Sequence, residues 1–176
     1  MKTSRGFTLI ELIVTLMVAA IIVAFAVPSF QTMLMNSRLT SQTDALANAL
    51  NYARSTALSQ NVATEICPVG AINSTTCGSA WSAGWMVVLN PVGNPPTPAT
   101  ALLQSIQSPP GAAVVSSSTT SITFDSRGLA TTPAQYVICD SRGSSFARSV
   151  QVQATGFVQA GATPGTAAWG GAITCP

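Results

Sequence analysis

Arg5-Gly6-Phe7-Thr8-Leu9-Ile10-Glu11 links a basic N-terminus to a long apolar segment that ends before Pro28. From Phe7 to Val27 the chain has 21 residues and a single charged side chain. About 20 apolar residues, each rising 1.5 Å along a helix, match the roughly 30 Å hydrocarbon core of a bilayer. The two basic residues before this segment favour a cytoplasmic N-terminus. We therefore predict one membrane crossing, with the rest of the chain in the periplasm.

The single charge in this segment, Glu11, is a candidate functional residue. A carboxylate at bilayer depth costs roughly 2.5 kcal/mol or more unless it is protonated, paired or close to the interface. Its position near the predicted helix start offers one simple explanation, because the positive end of the helix dipole and nearby water would stabilise the charge. Pairing with a positive group is the functional alternative.

A secretory signal peptide is another interpretation of the same N-terminus. Ala24-Phe25-Ala26 has the small-x-small pattern of a signal cleavage site. The apolar core of such a signal would contain the charged Glu11, however. The helical pattern also continues past this cleavage site, where a mature domain would be expected to begin. A helix that remains in the mature protein explains the sequence better.

The segment from Gly6 to Glu11 resembles the processing site of type IV pilins and type II secretion pseudopilins. The resemblance implies that a prepilin peptidase cleaves after Gly6 and that the new N-terminal amine, on Phe7, is methylated. It implies that Glu11 neutralises the N-terminal amine of a neighbouring subunit during filament assembly. It also implies that Pro28 kinks the helix, where a missing backbone N–H would bend it or locally melt it.

The composition indicates a polar but nearly uncharged surface. Only 7% of the 176 residues are charged, far below the usual quarter. The residues before the implied cleavage, 1–6, form a leader that contains Lys2 and Arg5. Without this leader, five arginines balance five acidic residues, and no lysine or histidine remains. This balance argues against strong phosphate binding, which depends on several clustered cations.

Four cysteines in a predicted periplasmic domain indicate disulfide bonds. Among the three connectivities we favour Cys67 with Cys77 and Cys139 with Cys175, because the first pair closes a short loop. Free buried thiols are a weaker alternative. Zinc is weaker again, since the chain has no histidine and no Cys-x-x-Cys pair. We expect no metal and no other cofactor.

Beyond Pro28 the helical pattern continues to about Gln60, so we predict one helix from about Thr8 to that residue. Apolar and small residues recur every three or four positions, which is typical of a helix with one buried face. They are Leu39, Thr43, Leu46, Leu50, Ala53 and Ala57.

From Asn61 onward, short apolar runs alternate with Gly, Pro, Asn and Ser, which indicates β-strands and turns. The absence of strand-helix-strand alternation argues against a parallel sheet. We predict an α+β fold in which the long helix packs on an antiparallel sheet, with loops at 90–100 and 161–171. The expected strands are 62–67, 84–89, 101–107, 113–116, 121–124, 135–139 and 149–154.

The tetrapeptide Asp-Ser-Arg-Gly occurs at 125–128 and at 140–143, each time directly after a predicted strand. We interpret both copies as β-turns, in which Asp bonds to the local backbone and Gly supplies an unusual dihedral angle. A weaker alternative is an anion site, with Arg142 and Arg148 as candidate DNA contacts.

The sequence offers no catalytic arrangement. Without histidine, neither a Ser-His-Asp nor a Cys-His arrangement can form. The carboxylates outside the apolar segment are widely spaced, and no glycine-rich phosphate-binding loop is present. We therefore expect no catalytic residues and no enzyme activity.

The later part of the chain is similar to the GspH/FimT/FimU branch of minor pilins and pseudopilins. The similarity rests on the segments 52–57, 122–128 and 136–139 with 150–152, which occur in the order expected of the branch. It implies the type IV pilin fold, divided into a leader (1–6), a membrane and filament-core half of the helix (7–35) and a periplasmic domain (36–176).

The resemblance also implies a function. The chain would be a minor pilin that joins a priming complex at the pilus tip, moving there from the inner membrane. Its partners would be other minor and major pilins, prepilin peptidase and the pilus assembly platform. The alternatives are a type II secretion pseudopilin and a DNA-binding minor pilin for natural transformation. In DNA-binding relatives a Gly-Arg-x-Arg motif lies near the C-terminus, where this chain has Gly156-Phe157-Val158-Gln159 without the arginines.

Overall fold

The computed structural model describes residues 7–70, 76–90, 102–108 and 113–176. The predicted leader, with the cleavage residue Gly6, and nearly all of the predicted loop at 90–100 lie outside these ranges. The chain divides into two compact units, residues 1–37 and 38–176. One helix contributes residues to both units.

Helix α1 extends over Leu9–Gln60, as the sequence predicted to within one residue. In the first unit every large apolar side chain from Phe7 to Leu34 is exposed. The helix is long and apolar enough, by length and composition, to cross a membrane. It continues through Pro28 without interruption, so the chain does not melt there. A bend at Pro28 remains a prediction.

The second unit contains two four-stranded antiparallel sheets with the orders β3-β2-β1-β5 and β4-β6-β7-β8. A short 3-10 turn, Trp81–Ala83, leads into the second strand. The strands are β1 Thr64–Pro68, β2 Gly84–Leu89, β3 Leu102–Gln107, β4 Val114–Ser117, β5 Ile122–Phe124, β6 Ala134–Cys139, β7 Arg148–Val152 and β8 Val158–Ala160.

The second half of α1 supplies the helical side of the core. All six residues of its predicted buried face are buried, and the apolar ones among them join a single cluster with side chains from both sheets. The largest buried side chains in this cluster include Trp85, Tyr136 and Phe124. The α+β fold is therefore confirmed, with the helix packed on antiparallel sheets.

The sequence predicted seven strands close to their observed bounds, but it missed β8. The last predicted strand, 149–154, ends earlier, at Val152, because residues 153–156 form a turn in which the amide of Gly156 donates to the carbonyl of Gln153. The turn returns the chain as β8, only three residues long and mostly exposed. So short a strand has no hydrophobic alternation that could distinguish it from a loop.

Candidate functional site

The first candidate site is the beginning of α1. Thr8 caps the helix: its Oγ1 accepts a hydrogen bond from the amide of Glu11 at 3.3 Å, and its carbonyl accepts one from the amide of Leu12. A threonine followed three residues later by a glutamate is the sequence pattern of a capping box. Thr8 was not singled out from the sequence, although this pattern could have identified it.

The side chain of Glu11 lies at the third position of the helix and is exposed. Among the residues that the structure describes, no side chain or backbone group forms an ion pair or hydrogen bond with its carboxylate. The dipole of the helix favours a negative charge at this end. It does not provide a positive partner, which is one of the ways to offset the cost of a carboxylate at bilayer depth.

Two disulfide bonds lie in the second unit. They join Cys67 to Cys77 and Cys139 to Cys175, which is the pairing favoured from the sequence. The first bond closes a loop after β1, and the second holds the C-terminal segment against the end of β6. Loop closure of this kind stabilises a small domain mainly by restricting its unfolded chain.

Both Asp-Ser-Arg-Gly copies form the predicted turns, with positive φ angles at Gly128 and Gly143. In the first copy Asp125 accepts hydrogen bonds from the amide of Leu129 and from the backbone and side chain of Arg127. The hydrogen bond from Leu129 contributes most to lowering the pKa of Asp125. This ion pair is open to solvent, because the Arg127 side chain is 78% exposed.

The second copy forms a tighter and more buried ion pair. The Nη2 atom of Arg142 lies 2.7 Å from Oδ2 of Asp140, and both side chains are about 15% exposed. The guanidinium also lies over the ring of Phe146, 4.3 Å from its centroid. Burial opposes ionisation of Asp140, but the hydrogen bonds and charge of Arg142 outweigh it and lower the pKa of Asp140.

This geometry predicts an acid-sensitive contribution to stability. A lowered pKa in the folded state means that the ionised Asp140 stabilises the fold above about pH 4, and that this stabilisation is lost as the pH falls through the folded pKa. Asp140→Asn should therefore lower the free energy of unfolding by about 1–2 kcal/mol at pH 7. The variant should also lose less stability than the unsubstituted protein when the pH falls from about 5 to about 2. Urea unfolding followed by tryptophan fluorescence would measure both effects.

Asp125→Asn is the matched control, since it alters the same turn sequence at a solvent-exposed ion pair. We expect a smaller change in the free energy of unfolding, because exposed pairs are screened by water. Equal effects of the two substitutions would contradict the role assigned to burial of the second pair.

The structure does not support an anion site built from Arg142 and Arg148. The charge of Arg142 is neutralised by Asp140, and its planar face is occupied by Phe146. Arg148 is half-buried at the start of β7, opposite Ile138 in the sheet register. A pair of solvent-facing cations, which phosphate binding needs, is therefore not formed by these two residues.

The segment that would carry a Gly-Arg-x-Arg motif forms a tight turn followed by β8. Gly156 has a φ of +76°, and a Cβ there would overlap the carbonyl oxygen of Gly128. Arg54 on α1 bridges the two loops, because its Nε donates to the carbonyl of Gly128 at 3.1 Å and its Nη2 to that of Thr155. Phe157, which follows Gly156 in this turn, is 52% exposed. Arg54 was noticed only as part of a similar segment, and nothing local in the sequence indicates these distant bonds.

No group of three or more potential metal-ligating side chains occurs in the described parts of the chain. The carboxylates of Asp125 and Asp140 are committed to arginines in turns. In the second unit these two ion pairs therefore stabilise the turns in which they lie.

Comparison with known proteins identifies the fold and the family. Residues 42–156 match the family described as Type II transport protein GspH, and residues 1–27 match the prokaryotic N-terminal methylation motif. No curated protein sequence matches the chain significantly.

Solved structures with a similar fold include a minor pilin and a minor pseudopilin. The type IV minor pilin FimU of Pseudomonas aeruginosa, in one crystal form, is 22% identical, with a TM-score of 0.55 over 72% of this chain and 95% of that one. A second crystal form gives 22% identity and a TM-score of 0.54 over 70% and 92%. The minor pseudopilin EpsH from the type 2 secretion system of Vibrio cholerae is 8% identical, with a TM-score of 0.51 over 70% and 95%.

These neighbours are structural subunits and not enzymes, and at these identities they establish the type IV pilin fold. The apolar helix and the methylation motif indicate a membrane anchor followed by a soluble C-terminal domain. Because the family match covers more than half of the sequence, the chain belongs to the GspH family, within the branch of minor pilins and pseudopilins.

Proposed function

We propose that this protein is a minor subunit of a type IV pilus that joins other minor pilins in a priming complex at the filament tip. The observation that carries assembly into a filament is Glu11, whose carboxylate has no partner among the described residues although it lies at the start of an apolar, membrane-compatible helix. In this proposal the partner of the carboxylate is a positive group on a neighbouring subunit.

The proposed sequence of events follows from the chemistry of the N-terminus. The basic leader keeps residues 1–6 in the cytoplasm, where prepilin peptidase cleaves after Gly6 and Phe7 is methylated. Glu11 then pairs with the N-terminal amine of the adjacent pilin as the assembly platform moves the subunit from the inner membrane into the filament. Opposite charges attract strongly in a medium of low dielectric constant, which favours this pairing in the filament core.

The second candidate is a pseudopilin of a type II secretion system. It is favoured by the family match and by the fold of the Vibrio cholerae pseudopilin. The same N-terminal chemistry would serve this role, so the membrane helix does not distinguish the two. Binding of DNA during natural transformation is less favoured, because Arg142 is paired and Phe157 and Gln159 occupy the positions of the motif arginines.

Deletion of the gene distinguishes the two leading candidates. We expect fewer surface pili and reduced twitching motility, with secreted enzymes still released into the medium. The wild-type gene should restore motility, whereas a Gly6→Val variant should not, because it retains the leader and blocks release of the Phe7 amine. Normal motility with enzymes retained in the periplasm would instead identify a secretion pseudopilin.

A further inference from the structure

The sheet β4-β6-β7-β8 has one face on the core and one face turned outward. Side chains alternate between the two faces of a strand. Ala134, Tyr136, Val150, Val152 and Val158 point toward the core. The residues between them, and those continuing the alternation past the strand ends, therefore belong to the outward face.

The C-terminal segment covers one half of this outward face. Cys175 is bonded to Cys139 at the end of β6, and the Oγ of Ser149 accepts a hydrogen bond from the amide of Ala168 at 2.8 Å. Ile173 and Ala167 are buried in a small apolar cluster with Cys139. This half of the sheet is thus part of the folded core.

The other half is open and carries four glutamines and one phenylalanine, which we call the glutamine face. Its members are Gln135, Gln151, Gln153, Phe157 and Gln159. The sheet register places Gln135 opposite Gln151 and Gln151 opposite Gln159. With strands about 4.8 Å apart, these three amides form a row about 10 Å long. Gln153 and Phe157 lie side by side in the next row, since the backbone N–H of Gln153 donates to the backbone carbonyl of Phe157.

The glutamine side chains of this surface are open to solvent and to ligands. Gln135, Gln153 and Gln159 are exposed, Gln151 is half-buried, and Phe157 is 52% exposed. Within the described residues none of the four glutamine side chains forms a hydrogen bond. Each amide group offers two N–H donors and a carbonyl acceptor. The glutamine face therefore presents a regular array of free donors and acceptors beside one aromatic ring.

We propose that the glutamine face binds a neutral, hydroxyl-rich polysaccharide chain. Hydroxyl groups both donate and accept hydrogen bonds, as do the glutamine amides, so a sugar chain lying along the row can satisfy both. The ring of Phe157 provides an apolar surface for the C–H face of a sugar ring. None of the five members is charged, which matches a neutral ligand and offers nothing to a phosphate backbone.

A docking site for another protein subunit fits this surface less well. The centres of protein interfaces are apolar and depleted in polar groups that must be desolvated. The glutamine face has only one apolar side chain, at its margin, and four amides that would need matched partners. A ligand rich in hydroxyl groups supplies such partners along its whole length.

The test is direct binding by the full chain in a zwitterionic detergent that has no sugar head group. The probes are cellohexaose, maltohexaose and the hexamer of N-acetylglucosamine, with a labelled DNA duplex as a fourth ligand, and affinities are measured by calorimetry or fluorescence anisotropy. We expect at least one hexasaccharide to bind, with an affinity that is unchanged from about 0.05 to 0.5 M salt. Gln151→Ala and Phe157→Ala should each weaken that binding about three- to tenfold, as loss of one or two net hydrogen bonds or one stacking contact does.

Gln104→Ala is the matched control, since it removes an exposed glutamine from β3 in the other sheet. It should leave the affinity unchanged. Gln153→Ala, at an exposed position beyond the end of β7, serves as a second test if Gln151→Ala lowers the stability of the domain. Failure of all three hexasaccharides to bind, or equal weakening by Gln104→Ala, would overturn the proposal. Salt-sensitive binding of DNA that is lost on substitution of the glutamine face would overturn it as well.

Discussion

Glu11→Gln should leave insertion into the inner membrane unchanged and reduce incorporation of the protein into filaments more than tenfold. The substitution keeps the size and helical tendency of the side chain but removes its negative charge. Insertion depends on the apolar segment, which becomes more apolar overall. Incorporation depends on pairing with a positive amine, and an unpaired charge at bilayer depth costs roughly 2.5 kcal/mol or more. Immunoblots of membrane and sheared-pilus fractions would measure the two effects separately.

Two further variants test whether the charge is responsible. Glu11→Asp retains a carboxylate on a side chain one methylene shorter, so it should preserve part of the incorporation. Thr15→Val, one helical turn further along, removes only a hydroxyl that bonds within the helix to the carbonyl of Leu12. It should assemble normally. Normal assembly of Glu11→Gln would show that the carboxylate needs no positive partner, and the proposed assembly step would then fail.

Much of this fold could be predicted because its determinants are local. The spacing from Leu39 to Ala57 indicated which face of α1 is buried, and the same residues are buried in the structure. The two Asp-Ser-Arg-Gly turns depend on bonds within four residues, so their shape was evident from composition alone. The missed capping role of Thr8 was also local and was a matter of recognising the pattern.

The features that could not be predicted from the sequence depend on contacts between residues far apart in the chain. The side-chain amide of Gln42 on α1 both donates to the carbonyl of Ala113 and accepts from its amide, 71 residues away. Arg54 reaches loops more than 70 residues later. Phe157 and Gln159 join the glutamine face only because a turn returns β8 alongside β7, and β8 itself was too short to predict. Such contacts are set by the packed core and leave no periodic signal in the sequence.

Gly156→Ala should be among the most destabilising single-methyl substitutions in the domain, at roughly 3 kcal/mol or more. Two effects add at this position. A φ of +76° costs an L-residue roughly 1–2 kcal/mol. The new methyl group would also overlap the carbonyl oxygen of Gly128 and lie 2.9 Å from Nε of Arg54, so the two loops that Arg54 joins would have to separate. Urea unfolding is a suitable measurement, because the buried Trp81 and Trp85 report on the core.

Gly143→Ala separates the two effects. Gly143 has a similar φ of +86°, but no atom lies within 4 Å of the position that its Cβ would take. It should therefore show the backbone cost alone, about 1–2 kcal/mol. The difference in free energy of unfolding between the two variants measures how rigidly the loops that contain Gly128 and Gly156 are held together. If the two substitutions lower the free energy of unfolding equally, the loops at Gly128 and Gly156 can move apart freely. Arg54 then does not hold β8 in the position that the glutamine face requires.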